Sequence, residues 1–174
     1  MGLRIAITGQ PGVGKTTLVQ QVLAQVPLQA GGMITREIRK VGRRVGFAVI
    51  DVATGREGVL AHVHQTEGPR VGRYRVNLAD LEGIGVAAVD RAIATCPLVV
   101  VDEVAPMELK SARFVAAVER ALGEAEHLLV CVHRASSHHL TYRIRHQCHH
   151  LVRLTKAGRD QAAQQVVRLL SEQG

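Results

Sequence analysis

Gly9-Gln10-Pro11-Gly12-Val13-Gly14-Lys15-Thr16 has the spacing Gly-x-x-x-x-Gly-Lys-Ser/Thr, and it follows an apolar run and opens a helix-like stretch. A chain of phosphates presents many anionic oxygens in a small space. Glycines let backbone N–H groups converge on such oxygens, and the positive end of the following helix dipole reinforces the same anion site. The segment Gly9, Gln10, Pro11, Gly12, Val13, Gly14, Lys15, Thr16 and Thr17 is therefore read as a nucleotide-binding phosphate loop. Lys15 would bridge the β and γ phosphates and serve catalysis there. Thr16 would give its hydroxyl to Mg²⁺, and Thr17 would reach the α phosphate.

A second arrangement of chemical groups lies downstream. Leu98-Val99-Val100-Val101-Asp102-Glu103 is an apolar strand ending in two carboxylates. Asp102 at such a position would join Thr16 as a metal-directed residue, and Glu103 would orient and deprotonate an attacking water. A glutamate directly after the metal aspartate is the pattern of the phosphate-loop division with an extra strand between the loop strand and the acidic strand, as in RecA-like ATPases. Thr155-Lys156-Ala157-Gly158 comes close to a guanine-reading Asn/Thr-Lys-x-Asp, but its fourth position has no carboxylate to accept from guanine. Dedicated guanine specificity is not expected.

The elements that must position these groups read as alternating strands and helices. Strand-length apolar runs span Leu3–Thr8, Leu98–Asp102, His127–Val132 and His150–Leu154, with helix-like stretches at Lys15–Val26, Leu78–Thr95, Ser111–Leu122 and Arg159–Leu170. This predicts an α/β fold with a mostly parallel central sheet flanked by helices. Asn77 is the expected N-cap of the second helix. The segment from about 31 to 76 differs, with short β-branched runs separated by Gly42-Arg43 and Thr54-Gly55, and is expected to be an antiparallel hairpin insertion.

Composition narrows the classes. The chain has 174 residues, 47% of them hydrophobic, which suits one domain with its own core. No apolar stretch approaches the roughly 18 residues of a membrane span, and the start leaves no room for a signal peptide, so a cytoplasmic protein is expected. Cys96, Cys131 and Cys148 are odd in number and widely spaced, which favours reduced thiols over disulfides. Net charge is +7, which suits a polyanionic partner or a phosphate-binding cleft equally. Aromatics make up only 2%, so the stacking platforms of single-strand nucleic-acid binders are missing and a nucleic-acid partner is disfavoured.

With these residues in view, the sequence resembles the small phosphate-loop nucleoside-triphosphatase family of thermophilic bacteria and archaea that includes human cancer-related nucleoside triphosphatase. The resemblance covers nearly the whole chain. Besides the loop it is carried by Gly32-Met33-Ile34-Thr35-Arg36-Glu37-Ile38-Arg39, Arg44-Val45-Gly46-Phe47, Val71-Gly72-Arg73-Tyr74-Arg75-Val76-Asn77, Asp102-Glu103-Val104-Ala105-Pro106-Met107-Glu108-Leu109 and Leu154-Thr155 with Arg159-Asp160. It implies a P-loop NTPase of RecA-like variant fold and Mg²⁺-dependent hydrolysis of several nucleoside triphosphates, ATP and GTP among them, with low base selectivity. Two departures stand out. Ala105-Pro106 replace the family's usual Gly-Lys, and Ala157-Gly158 stand where a Glu-Asn pair is common.

Arg36, Arg39 and Arg159 are candidates to stabilise charge on the transferring group, with Arg73, Arg143 and Arg145 as further suppliers. Glu37 and Glu108 are similarly placed within the matched motifs, with bracing of neighbouring arginines as the alternative to a role at the substrate. Histidines crowd toward the end, from His133 to His150, at spacings that match no four-ligand zinc pattern, although His133 at a strand end is placed to sense a γ phosphate. A phosphotransferase and a nucleotide-switched nucleic-acid-binding module are the competing readings.

Overall fold

A computed structural model describes residues 2–173. Its elements run β1 (Arg4–Gly9), α1 (Lys15–Gln25), β2 (Ala30–Lys40), β3 (Arg43–Asp51), β4 (Glu57–His62), β5 (Arg70–Val71), β6 (Tyr74–Val76), α2 (Leu78–Asp80), a π-helical turn Leu81–Val86, α3 (Ala87–Thr95), β7 (Leu98–Val104), a 3-10 turn Glu108–Lys110, α4 (Ala112–Glu124), β8 (His127–His133), α5 (His139–Gln147), β9 (His150–Arg153) and α6 (Arg159–Ser171). The strands form a single sheet in the order β5-β6-β4-β3-β2-β7-β8-β1-β9. From β2 to β9 every pairing is parallel, and from β2 outward to β5 every pairing is antiparallel.

The parallel half forms where the sequence is continuously apolar. Leu98, Val99, Val100 and Val101 of β7 are completely buried because helices cover both faces of the strand. Within that run the two-residue strand period still sorts the side chains. Val99 and Val101 join the core under α3, α4 and α5, while Leu98 and Val100 join the core under α1 and α6. Burying such side chains contributes about 1.5–3 kcal/mol each, so this run anchors the centre of the sheet. β8 lies between β1 and β7, so the loop strand and the acidic strand are separated by one strand, as the Asp102-Glu103 pair suggests.

β2 serves both halves. Ala30–Met33 pair in parallel with β7, and from Met33 onward the strand runs antiparallel to β3. Gly32 sits at the junction with φ +112, and a Cβ there would stand 2.0 Å from the Val100 carbonyl oxygen, so only glycine fits.

Two elements depart from the sequence expectation. The stretch Leu78–Thr95 is helical throughout and Asn77 caps it by accepting from the Asp80 N–H at 3.1 Å, but its middle, Leu81–Val86, is π-helical. Gly85 lies in that wider turn, where a Cβ would meet the Met33 sulfur at 3.0 Å, so the glycine lets the helix backbone come down onto β2 and β3. α5 was not expected. Only Leu140, Thr141 and Ile144 of it are buried, and its other positions carry His, Arg, Tyr and Gln, so the hydrophobic period is too weak to mark it.

Arg4 links β1 to the end of α4. Its buried guanidinium donates to the Leu122, Ala125 and Glu126 carbonyl oxygens at 2.9, 2.6 and 3.1 Å, satisfying carbonyls left open at the helix C-terminus.

Candidate active site

β1 delivers Gly9 to the C-terminal edge of the sheet, opposite His133 of β8. The chain then turns through a Val13 N–H to Gln10 carbonyl bond of 3.1 Å and enters α1 at Lys15. Val13 is buried in the core under α1, which fixes the loop from below. Gly14 holds φ +105, a left-handed conformation that strains any side chain. The start of α1 has no side-chain cap and no acidic residue in its first turn, so its free N–H groups face outward as an anion site.

Lys15 is 7% exposed, and its Nζ donates to the Gly9 carbonyl oxygen at 3.1 Å. The same Nζ is 3.7 Å from Glu103 Oε2. Thr16 Oγ1 donates to Asp102 Oδ2 at 2.8 Å, joining the loop to β7. In a regular strand Asp102 and Glu103 would point to opposite faces, but the pairing of β7 with β8 shifts register between Val101 and Val104, and both carboxylates line one cavity. That cavity measures ≈ 620 Å³ and is also lined by Gly14, Lys15, Thr16 and Thr17.

The carboxylates differ in environment. Asp102 is 1% exposed, and burial, with the charge of Glu103 added, pushes its carboxyl up to about 7 despite the Thr16 hydrogen bond and Lys15. A buried carboxylate beside a hydroxyl oxygen is a hard-oxygen pair suited to a small divalent cation. Glu103 Oε2 is buried and has no hydrogen-bond partner among the described residues. Glu108, from the 3-10 turn, closes the same cavity. Among the described residues it forms no ion pair with an arginine, so of its two readings the bracing one is not seen; it is 3% exposed and its Oε2 is orphaned. Burial, then the charge of Glu103, holds its carboxyl well above the usual range, so the neutral acid is favoured.

The arginines separate by position. Arg36 lines the cavity while pairing with Glu57 of β4. Arg39 points away into the β2–β3 hairpin, bound to Glu37 and to the Gly42 carbonyl oxygen, and does not line the cavity. Arg159, at the start of α6, lies over the loop, where a Cβ built on Gly14 would be 2.8 Å from its Nη1. Its Nε is buried without a partner among the described residues.

Arg44 lines the cavity although the residue types alone did not single it out. Glu37 accepts from it at 3.3 Å, the Tyr74 hydroxyl accepts from its Nε at 3.0 Å, and its guanidinium lies 5.1 Å from the Phe47 ring centre. Its signal was its place in Arg44-Val45-Gly46-Phe47. Gln20, four residues after Thr16 on α1, also reaches the cavity, and helical spacing marks it. His133 lines the cavity too, with Nδ1 accepting from the Ala135 N–H at 3.2 Å. Gly158 supplies no carboxylate and instead precedes α6, donating its N–H to Thr155 Oγ1 at 3.1 Å.

Residues 4–167 match the family model described as NTPase. The nucleoside-triphosphatase THEP1 of Methanosarcina acetivorans is 47% identical over 168 residues, which cover 94% of each chain. That of Archaeoglobus fulgidus is 41% identical over 170 residues, covering 97% of this chain and 99% of the relative. The crystal structure of THEP1 from the hyperthermophile Aquifex aeolicus superposes with TM-score 0.88 at 29% identity, covering 97% of this chain and 99% of that one. The solution structure of a human cancer-related nucleoside triphosphatase gives 0.80, also at 29% identity, covering 99% and 100%. By its sequence along nearly its whole length and by the architecture around its phosphate loop, the chain belongs to the P-loop nucleoside-triphosphatase family of the THEP1 proteins.

Proposed function

We propose that the chain, as one domain over residues 1–174, hydrolyses nucleoside triphosphates to diphosphate and phosphate in the cavity over its phosphate loop, with Mg²⁺ as cofactor and low base selectivity. The observation that carries this is Glu103. Its carboxylate reaches the same cavity as the loop, and its only ion-pair partner among the described residues is Lys15. A triphosphate in the loop draws Lys15 to its β and γ oxygens, which frees Glu103 to accept a proton from a water. Burial favours the neutral form of Glu108, which limits the negative charge beside that water. Thr16 and Asp102 are the residues that would hold Mg²⁺. When bound, the ion neutralises charge on the phosphates.

Gly9 to Thr17 bind the phosphates through backbone N–H groups, Lys15 and the threonine hydroxyls. Arg36, which lines the cavity, and Arg159, which lies over Gly14, are the arginines assigned to neutralise charge on the transferring group, whereas Arg39 stays with Glu37 in the hairpin. Without a carboxylate at Gly158, nothing there selects guanine. Cys96 and Cys131 are buried free thiols, which supports a reducing, cytoplasmic setting.

The test is phosphate release from ATP, GTP, CTP and UTP, each alone, with Mg²⁺ and with a chelator. Release from several triphosphates, abolished by the chelator, is the expected result. Release that requires an added nucleoside or other acceptor would make the protein a phosphotransferase instead.

A further inference from the structure

Four carboxylates line the cavity over the phosphate loop, and two of them are engaged by hydrogen bonds. Thr16 donates to Asp102, and Arg39 and Arg44 donate to Glu37. The other two keep an open oxygen. Glu103 Oε2 and Glu108 Oε2 are both buried, and neither has a hydrogen-bond partner among the described residues.

Packing does not call for a carboxyl at position 108. Met107 and Leu109, its neighbours in the chain, pack against the core under α3, α4 and α5. A polar atom buried there without a partner destabilises the fold where an apolar side chain of similar shape would not, and a ligand in the cavity would offset that loss. The carboxyl is also held still. The Leu109, Lys110 and Ser111 N–H groups donate to the Ala105, Met107 and Glu108 carbonyl oxygens at 3.0, 3.2 and 3.1 Å. Ser111 Oγ accepts from the Phe114 N–H at 3.0 Å at the start of α4 and donates to Glu82 Oε2 at 2.8 Å.

Two open acceptors in one cavity suit a molecule with two donors. A water has two O–H groups, and with both held its remaining lone pair is free to face phosphorus. His133 does not compete for this role. Its Nδ1 accepts from the Ala135 N–H, so in the neutral ring Nε2 carries the proton and can only donate. Burial, then the charge of Glu103, favours the neutral acid at Glu108, and a neutral carboxyl accepts a hydrogen bond without taking the proton.

We propose that Glu108 is a second catalytic residue of the hydrolysis, which holds one O–H of the attacking water through Oε2 while Glu103 holds the other and takes its proton. The inference rests on hydrolysis at this loop with Glu103 as base. In the step, the water oxygen bonds to the γ phosphorus and the bond from that phosphorus to the β–γ bridging oxygen breaks. The nucleoside diphosphate leaves with that electron pair, and the proton goes to Glu103. Glu108 exchanges no proton.

The experiment compares Glu108→Gln, Glu108→Met, Glu103→Gln and the double variant Glu103→Gln/Glu108→Met by single-turnover phosphate release, binding of a non-hydrolysable triphosphate analogue and urea unfolding. Glu108→Gln keeps an acceptor oxygen in place and should lower turnover by less than about tenfold. Glu108→Met keeps the length without the acceptor and should lower it by about 10² fold, the order that misplacing a reactant costs. The analogue's Kd should stay within about threefold of the parent in both. The urea midpoint of Glu108→Met should lie at or above the parent's, because an orphaned polar group is gone. Added to Glu103→Gln, the methionine should cost less than about tenfold more, because both residues act on one water. Near-parent turnover by Glu108→Met, a loss in Glu108→Gln as large as in Glu108→Met, or losses that multiply in the double variant would overturn the proposal. A urea midpoint that falls in step with turnover would make Glu108 structural and overturn it as well. Each of these leaves the hydrolysis reading standing, because the parent still releases phosphate, whereas a parent that releases none from any triphosphate would overturn both.

Discussion

Replacing Glu103 with glutamine separates binding from chemistry. The change keeps the side-chain shape and one acceptor oxygen but removes the negative charge and the basicity. In the ligand-free protein Glu103 Oε2 is 3.7 Å from Lys15 Nζ. At an effective dielectric near 20 that attraction is about 4 kcal/mol gross, before the cost of desolvating the pair. Glu103→Gln therefore releases Lys15 toward the phosphates, and nucleotide affinity should stay within about tenfold of the parent, on the tighter side if it moves. The loss should fall on turnover, because a positioned general base contributes about 10² to 10⁴ fold, or roughly 3–5 kcal/mol of barrier. Single-turnover phosphate release, paired with equilibrium binding of a fluorescent triphosphate analogue, reads both quantities. Turnover near the parent rate would refute the assignment of Glu103. Binding lost as severely as turnover would make it a metal or structural residue.

Asp102→Asn should weaken nucleotide binding and its Mg²⁺ dependence together, because the buried carboxylate and Thr16 are the proposed metal ligands; Mg²⁺ titrations of nucleotide affinity check this, and an unchanged Mg²⁺ midpoint would contradict it. Glu108 has a raised folded-state pKa, so the stability it contributes is complete below the ordinary value of 4.5 and is lost as pH rises from there through the folded value. Glu108→Gln should accordingly gain on the parent in denaturant unfolding as pH is raised from about 4.5 toward 8, and a difference that does not change with pH would show that the carboxyl ionises normally. Arg4→Met removes three hydrogen bonds to the end of α4 and should cost about 2–4 kcal/mol, read as a fall in Tm of about 5–15 °C; a shift under 2 °C would mean the cap contributes little.

The site was legible in the sequence wherever its chemistry is local in the chain. Gly9 to Thr17 are contiguous, and their spacing dictates a strand, a tight loop and a helix start. The run Leu98–Val101 ends in two carboxylates at a strand terminus, and that alone brings Asp102 to the loop. What the sequence hid depends on packing between distant segments. Glu108 looks like any surface glutamate until the 3-10 turn folds it under Glu103. Arg44 enters the cavity because β3 doubles back on β2, which the sequence marks as a hairpin without saying which arginine faces inward. Arg36 and Arg39 sit three residues apart in one motif, yet only Arg36 lines the cavity, while Arg39 is held in the hairpin by Glu37 and the Gly42 carbonyl oxygen.

The most direct test of the central claim compares phosphate release by the parent and by Lys15→Ala, with Mg²⁺ and each of the four common triphosphates. Circular dichroism would confirm that the variant is folded. Lys15 carries the only side-chain charge that the loop itself supplies, and it lies at the junction of Gly9 and Glu103. The expected result is release from several triphosphates by the parent and none above background by the variant. Near-normal release by folded Lys15→Ala would contradict hydrolysis at the phosphate loop.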